Sequence, residues 1–194
     1  MTWFRRAFLA VLPSLALTGC YTPGAEVALS PDLDRASLHS VAVRPFADRG
    51  ALPAGGVTLS RAFEAAFLER GVHVVPYERV REALERASAE AAATGDDGWS
   101  AGTWRRVHED TGVDAVLSGT VTASEFVPGG MPPYLMECSF RLVAASGGEV
   151  LASGNANEDG PSAPGTASQL ARVVLVRFFG DKSAAPTSSR WPGL

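Results

Sequence analysis

Gly98-Trp99-Ser100-Ala101-Gly102 sets a serine between two glycines at the spacing of the G-x-S-x-G nucleophile elbow. That elbow works when a strand delivers the serine to a sharp turn, a helix leaves it, and later Asp and His residues activate the hydroxyl. Here Thr94-Gly95-Asp96-Asp97 comes first and does not read as a strand, and the only later histidine is His108, on the adjoining helix. A loop leading into a helix is the better reading, and a serine hydrolase using Ser100 is the least favoured alternative. Asn155-x-Asn157-x-Asp159-Gly160 opens like a calcium loop, but Thr166 stands at the twelfth position, where that loop needs a bidentate glutamate. A strand end and turn fits better. His39, His73 and His108 have no second ligand at metal spacing. The sole lysine, Lys182, follows Asp181, which leaves neither a phosphate loop nor an S-x-x-K pair. Cys138 falls on the apolar face of an alternating segment and reads as a small buried hydrophobe. No catalytic, cofactor-binding or metal site is expected.

The remaining residue with chemistry is Cys20. Arg5 and Arg6 form a positive start, Ala7 to Leu17 is apolar, and Leu17-Thr18-Gly19 leads into the cysteine. The apolar run is shorter than the about 20 residues a spanning helix needs, so residues 1–19 read as an export signal. Leu17-Thr18-Gly19-Cys20 resembles a lipobox, the motif of bacterial lipoproteins. The resemblance implies that Cys20 carries diacylglycerol and becomes the first mature residue. A plain signal peptide with a coincidental cysteine is the rival. Arg5-Arg6-Ala7-Phe8-Leu9 also resembles a twin-arginine motif, but Phe4 and Ala10 depart from it, which favours the general secretory route. A lipidated Cys20 leaves Cys138 without an intramolecular partner. Tyr21 stands where an aspartate would retain an enteric lipoprotein in the inner membrane. The implied location is the periplasmic face of the outer membrane of a Gram-negative bacterium.

The 194 residues are 46% hydrophobic and 20% charged, which suits one globular domain. Removing Arg5 and Arg6 takes the basic residues from 17 to 15 against 21 acidic ones, a balance of −6. A net acidic chain without a basic stripe argues against nucleic acid as a partner.

Positioning falls to an alternation of strands and helices. Residues 20–37 read as a lipidated tether, of which Tyr21 to Arg35 spans at most about 50 Å when extended. Leu38 to Phe46 reads as a first strand that Pro45 ends or places near an edge. Residues 47–57 read as a loop, and Thr58 as the cap of a helix whose inner face is Leu59, Ala62, Phe63, Ala66 and Phe67, stopped by Gly71. Val72 to Pro76 is a short strand. A helix from about Glu78 turns Val80, Ala83, Leu84 and Ala87 inward, with Glu82 and Arg86 paired outside. A third helix, about Thr103 to Thr111, closes at Gly112. The next strand, Ala115 to Thr122, carries Gly119 at its middle, where a missing side chain allows close approach. Tyr134 to Val143 alternates, with Tyr134, Met136, Cys138, Phe140 and Leu142 inward. Ser146-Gly147-Gly148 turns into a weaker strand, Glu149 to Asn157, with Val150, Ala152, Gly154 and Ala156 on one side. After a loop over Asp159 to Gly165, Thr166 to Phe179 reads as a helix, with a strand as the alternative. The last residues, 181–194, read as a disordered tail.

Four segments in this order resemble the CsgG-like lipoproteins and the amino-terminal domain of TolB. They are Val41-Ala42-Val43-Arg44-Pro45-Phe46, then Phe67-Leu68-Glu69-Arg70-Gly71 with Val74-Val75-Pro76-Tyr77-Glu78-Arg79, then Gly112-Val113-Asp114-Ala115-Val116-Leu117-Ser118-Gly119-Thr120-Val121, and Phe140-Arg141-Leu142-Val143 with Gly148-Glu149-Val150-Leu151. The match runs from about Val41 to Asn155, in a family that includes LpoB. It implies a three-layer α/β domain, a mixed sheet with helices on both faces, over residues 38–180. It carries over no catalytic residue. The segment Glu125 to Glu137 is too broken by Pro and Gly for the spanning hairpins of a CsgG pore, and the tether is short beside that of LpoB.

The implied role is an accessory or assembly factor of the envelope that works through protein contacts. A subunit of an oligomeric secretion or transport complex is the alternative. The partners expected are the membrane, through the lipid, and an envelope protein or further copies of the chain. Phe126, Val127, Met131 and Tyr134 form an apolar set at the Pro/Gly loop. They are either a partner contact or side chains folded back on the domain's own sheet.

Overall fold

A computed structural model describes residues 24–31, 33–50, 54–93, 100–125 and 134–180. These residues form β1 (Gly24–Leu29), β2 (Ser40–Val43), β3 (Ala47–Asp48), α1 (Gly55–Glu69), β4 (His73–Val74), α2 (Tyr77–Ala93), α3 (Ala101–Thr111), β5 (Ala115–Glu125), β6 (Tyr134–Ala144), β7 (Val150–Gly160) and α4 (Ala163–Phe179). The strands make one mixed sheet in the order β1-β7-β6-β5-β2-β4, with β3 paired to β5 beyond the end of β2. β2 is parallel to β4 and β5, whereas β5, β6, β7 and β1 are antiparallel in succession. Helices α1 and α4 pack on one face, and α2 and α3 on part of the other, which is the three-layer α/β architecture expected.

The layers follow from the residue pattern. All four residues of β2 are buried, with Val41 and Val43 in the core under α1 and α4, and Ala42 in the smaller core under α2 and α3. A strand covered on both faces reads as a continuous apolar run, which Val41-Ala42-Val43 is. In β6, Met136, Cys138, Phe140 and Leu142 are buried while Glu137, Ser139 and Arg141 are exposed, so this strand has one wet face. Phe63, Phe67 and Phe178 are among the largest fully buried side chains, each worth roughly 1.5–3 kcal/mol of burial. Phe63 stacks on Phe46 at 5.4 Å, and Phe178 meets Phe140 edge-on at 5.5 Å.

Asp114 locks the start of β5 to the start of β2. Its Oδ2 accepts from the Ser40 N–H and the His39 N–H, both at 2.8 Å, and from the Ser40 hydroxyl at 3.0 Å. Gly112 precedes it at φ 69, and its N–H closes α3 on the His108 carbonyl at 2.8 Å. At Gly119 the close approach is real. A Cβ there would lie 2.1 Å from the Ser139 carbonyl oxygen and 2.6 Å from Phe46 Cε1.

Several expectations are corrected. The tether assigned to 21–35 contains β1, paired to β7 from Gly24↔Asn157 to Leu29↔Ala152, so the folded unit starts ahead of residue 38. Its alternation is short and only half-buried, with Ala25, Val27 and Leu29 against the core, which makes it hard to see in a sequence. Within the loop assigned to 47–57, Ala47 and Asp48 pair with β5 as β3. Helix α1 starts at Gly55, and Thr58 donates its hydroxyl back to the Ala54 carbonyl at 2.8 Å. The N-cap residue is Ala54, at φ 71, and the Asp48 carboxylate accepts the Gly56 N–H of the first turn. Arg86 reaches Asp110 on α3 at 3.2 Å, not Glu82, because α2 and α3 pack together. Val150 is 43% exposed because the register slips between Leu142 and Val143. β7 runs on to Gly160, so the loop assigned to Asp159–Gly165 shrinks to two residues before α4. That last element is the helix, capped by Ser162 and closed by Gly180 at φ 71.

Candidate functional site

Helices α2 and α3 cover β2, the start of β5 and Ala145. Further out, the same face carries polar side chains in cross-strand rows. Glu26, Asn155, Ser139 and Thr120 form one row, and Gly24, Asn157, Glu137 and Thr122 the next. Thr120 Oγ1 and Ser139 Oγ lie 2.8 Å apart, and Asn157 Oδ1 accepts the Gly24 N–H at 2.8 Å. These residues, with Arg49 and Arg177 at the margin, line a depression of about 670 Å³. Those two hydrogen bonds lie within the sheet, while Glu26, Glu137 and Asn155 stay exposed, so the depression presents a polar surface to solvent.

The proposed contact set runs from the segment that connects β5 to β6 into the first residue of β6. Tyr134 is half-buried, paired with Glu125, and on the same sheet face as Met136. Phe126, Val127 and Met131 lie outside the described residues, as does Cys20. One row in from Tyr134 is Glu158, which the sequence reading missed. It is 4% exposed, opposite Met136, and its Oε1 accepts from Gln169 Nε2 of α4 at 2.9 Å. Burial first, then the neighbouring Asp159, pushes its pKa up to about 7. The period-two series Ala152, Gly154, Ala156, Glu158 was the available signal. It went unused because a carboxylate seldom continues a buried face.

A second depression, of about 300 Å³, lies outside the carboxyl ends of β2 and β4. Val43, Pro45, Val57, Val74, Pro76 and Tyr77 give it apolar walls, with Arg61, Glu64 and Glu78 alongside. Burial raises the Glu64 pKa, and Glu78 adds to the rise while Arg61 opposes it. Nothing in the sequence pattern announced this groove, since its residues come from four separate elements.

The structure gives the earlier candidates ordinary roles. Ser100 is the N-cap of α3, accepting from the Thr103 N–H at 3.3 Å. His108 sits eight residues on, about 12 Å along the helix, with Nδ1 2.7 Å from the Val113 carbonyl. Asn155, Asn157 and Asp159 are successive outward positions of β7, not a loop. Cys138 is buried and free, and burial pushes its pKa up to about 12, so it is a thiol at neutral pH. Among the described residues, no group of three His, Cys, Asp or Glu could hold a metal ion.

No family model matches the chain, and no curated protein matches it in sequence. Solved structures do. A PelC dodecamer from Paraburkholderia phytofirmans overlaps 79% of this chain and 96% of its own, with TM-score 0.52 and 18% identity. A lipoprotein from Neisseria meningitidis overlaps 75% of this chain and 99% of its own, at TM-score 0.43 and 22% identity. LpoB from E. coli overlaps 61% of this chain and 55% of its own, at TM-score 0.39 and 14% identity. The chain shares the PelC fold; the two weaker overlaps add no weight.

Proposed function

We propose that this chain is a lipid-anchored protein on the periplasmic face of the outer membrane, acting as a non-enzymatic accessory or assembly factor through protein contacts. The observation that carries the reading is the uneven cover of the sheet. One face is sealed by α1 and α4, while the other leaves the outer parts of β5, β6, β7 and β1 open to solvent as a polar surface. Leu17-Thr18-Gly19-Cys20 supports the anchor. With Gly24 already in the sheet, a lipid on Cys20 holds the start of β1 within about 14 Å of the bilayer, at about 3.4 Å per residue. The open sheet therefore works close to the membrane. The Phe126, Val127, Met131 and Tyr134 set at the hairpin end is the proposed contact. No cofactor is required.

A second reading is an oligomeric subunit of a secretion or transport complex. It is favoured by one observation, that the PelC of like fold is a dodecamer.

Two experiments test the proposal. Intact mass of the membrane-extracted protein should give acyl chains on a chain starting at Cys20, and Cys20→Ser protein should leave the membrane fraction. A mature start elsewhere refutes the anchor. Phe126→Ser with Met131→Ser should lose co-purified envelope partners at unchanged melting temperature. A large fall in stability would return the loop to the domain's own core. Sizing of the detergent-solubilised protein separates monomer from oligomer.

A further inference from the structure

The groove at the carboxyl ends of β2 and β4 combines three features. Its walls are apolar, and Val57, 47% exposed, is one of the few large hydrophobic side chains left in solvent. Among the described residues, β4 is an outermost strand of the sheet. The His73 N–H bonds the His39 carbonyl and the Val75 N–H bonds the Val41 carbonyl, both at 2.8 Å. The alternation of a parallel strand therefore turns the N–H and C=O of Val74 toward the free edge. Finally, Glu64 and Glu78 lie on this groove, and neither carboxylate forms a hydrogen bond or ion pair with another described side chain. They repel one another, and Arg61 offsets this only in part.

We infer that this groove takes an extended segment of a partner protein that pairs with the free edge of β4 and sets one lysine or arginine, flanked by apolar residues, against Glu64 and Glu78. The inference rests on the protein-contact reading above and gives that contact a second surface. Main-chain pairing at a sheet edge supplies affinity, and the pockets beside it supply specificity. A cation entering here meets the half-buried Glu64, where charge attraction is stronger than at an open surface, with the exposed Glu78 beside it. An anionic ligand meets the same carboxylates and is repelled. A second copy of this chain offers β1 as its other free edge, and β1 carries Glu26, the wrong sign.

The probe is a pair of capped nonapeptides of alternating valine and threonine, identical except for a central lysine or glutamate. Each is titrated calorimetrically into the full-length protein in detergent. The lysine peptide should bind saturably and at least tenfold more tightly than the glutamate peptide. Glu64→Gln with Glu78→Gln should weaken it tenfold or more, at a melting temperature no lower than that of the wild type. Val57→Ser should weaken both peptides alike. Failure of both peptides to bind, equal binding of the two, or undiminished binding by the double variant would overturn the inference. So would self-association of the wild type that the double variant abolishes, since the groove would then hold a second copy. Cross-linking of an envelope partner from Tyr134 reports separately on the protein-contact reading, which survives if only the peptides fail.

Discussion

Replacing Gly119 by alanine adds one methyl group, and the surroundings leave it no room. Its Cβ would stand 2.1 Å from the Ser139 carbonyl oxygen and 2.6 Å from Phe46 Cε1. The carbonyl belongs to β6, held between β5 and β7 by Thr120↔Ser139 and Ser139↔Asn155. The ring is stacked on Phe63 at 5.4 Å, with Phe46 4% and Phe63 0% exposed. Neither neighbour can yield an ångström without disturbing a ladder or a packed core. Overpacking of this kind costs about 1–3 kcal/mol. For a domain of this size each kcal/mol lowers the melting temperature by about 2–4 °C. Gly119→Ala should therefore melt roughly 2–12 °C below the wild type by circular dichroism, and Gly119→Val lower still. Adding Phe46→Leu to Gly119→Ala removes the ring clash and leaves the carbonyl clash, so the pair should cost less than the sum of the two single changes. Wild-type melting of Gly119→Ala and Gly119→Val would refute the packing argument and the place of β5 between β2 and β6.

Gly102→Ala should have the opposite sign. Its Cβ would meet only Ser100 Oγ at 3.4 Å, and the helix propensity gain is up to about 1 kcal/mol, readable as a higher melting temperature. Asp114→Ala leaves the Ser40 N–H without its acceptor, while the Ser40 hydroxyl keeps the Gly112 carbonyl and the His39 N–H the Ser37 carbonyl, and should cost about 1–3 kcal/mol in urea unfolding. Glu158 binds its proton more tightly in the folded than in the unfolded state, so its contribution is present below about pH 4.5 and lost as pH rises through about 7. Wild-type stability should fall by roughly 1–2 kcal/mol more than that of Glu158→Gln across this window, after allowance for solvent screening. Parallel pH profiles for the two proteins would refute it.

The helices around the main core were legible because their apolar residues recur at helical spacing. Leu59, Phe63, Ala66 and Phe67 of α1, and Val80, Ala83, Leu84 and Ala87 of α2, are buried as read. The alternation of β6 was equally plain, since one face is wet along its length. Gly112 and Gly119 stood out because a helix stop and a side-chain-free strand position are local demands. The lipobox-like Leu17-Thr18-Gly19-Cys20 is a feature of sequence alone and lies outside the described residues. Other features were not local. Gly24–Leu29 has too little alternation to announce a strand, and it becomes one only because β7 offers an open edge. Arg86 exchanged Glu82 for Asp110 because α3 brings a carboxylate from another helix. Glu158 looks like an ordinary surface carboxylate until the register of β7 turns it under α4. The groove beside β4 gathers residues from β2, α1, β4 and α2, and no spacing along the chain encodes it. Short-range periodicity and turn chemistry decide which segments become helices and strands. Which faces stay open, and which charges meet there, is decided by how those segments pack.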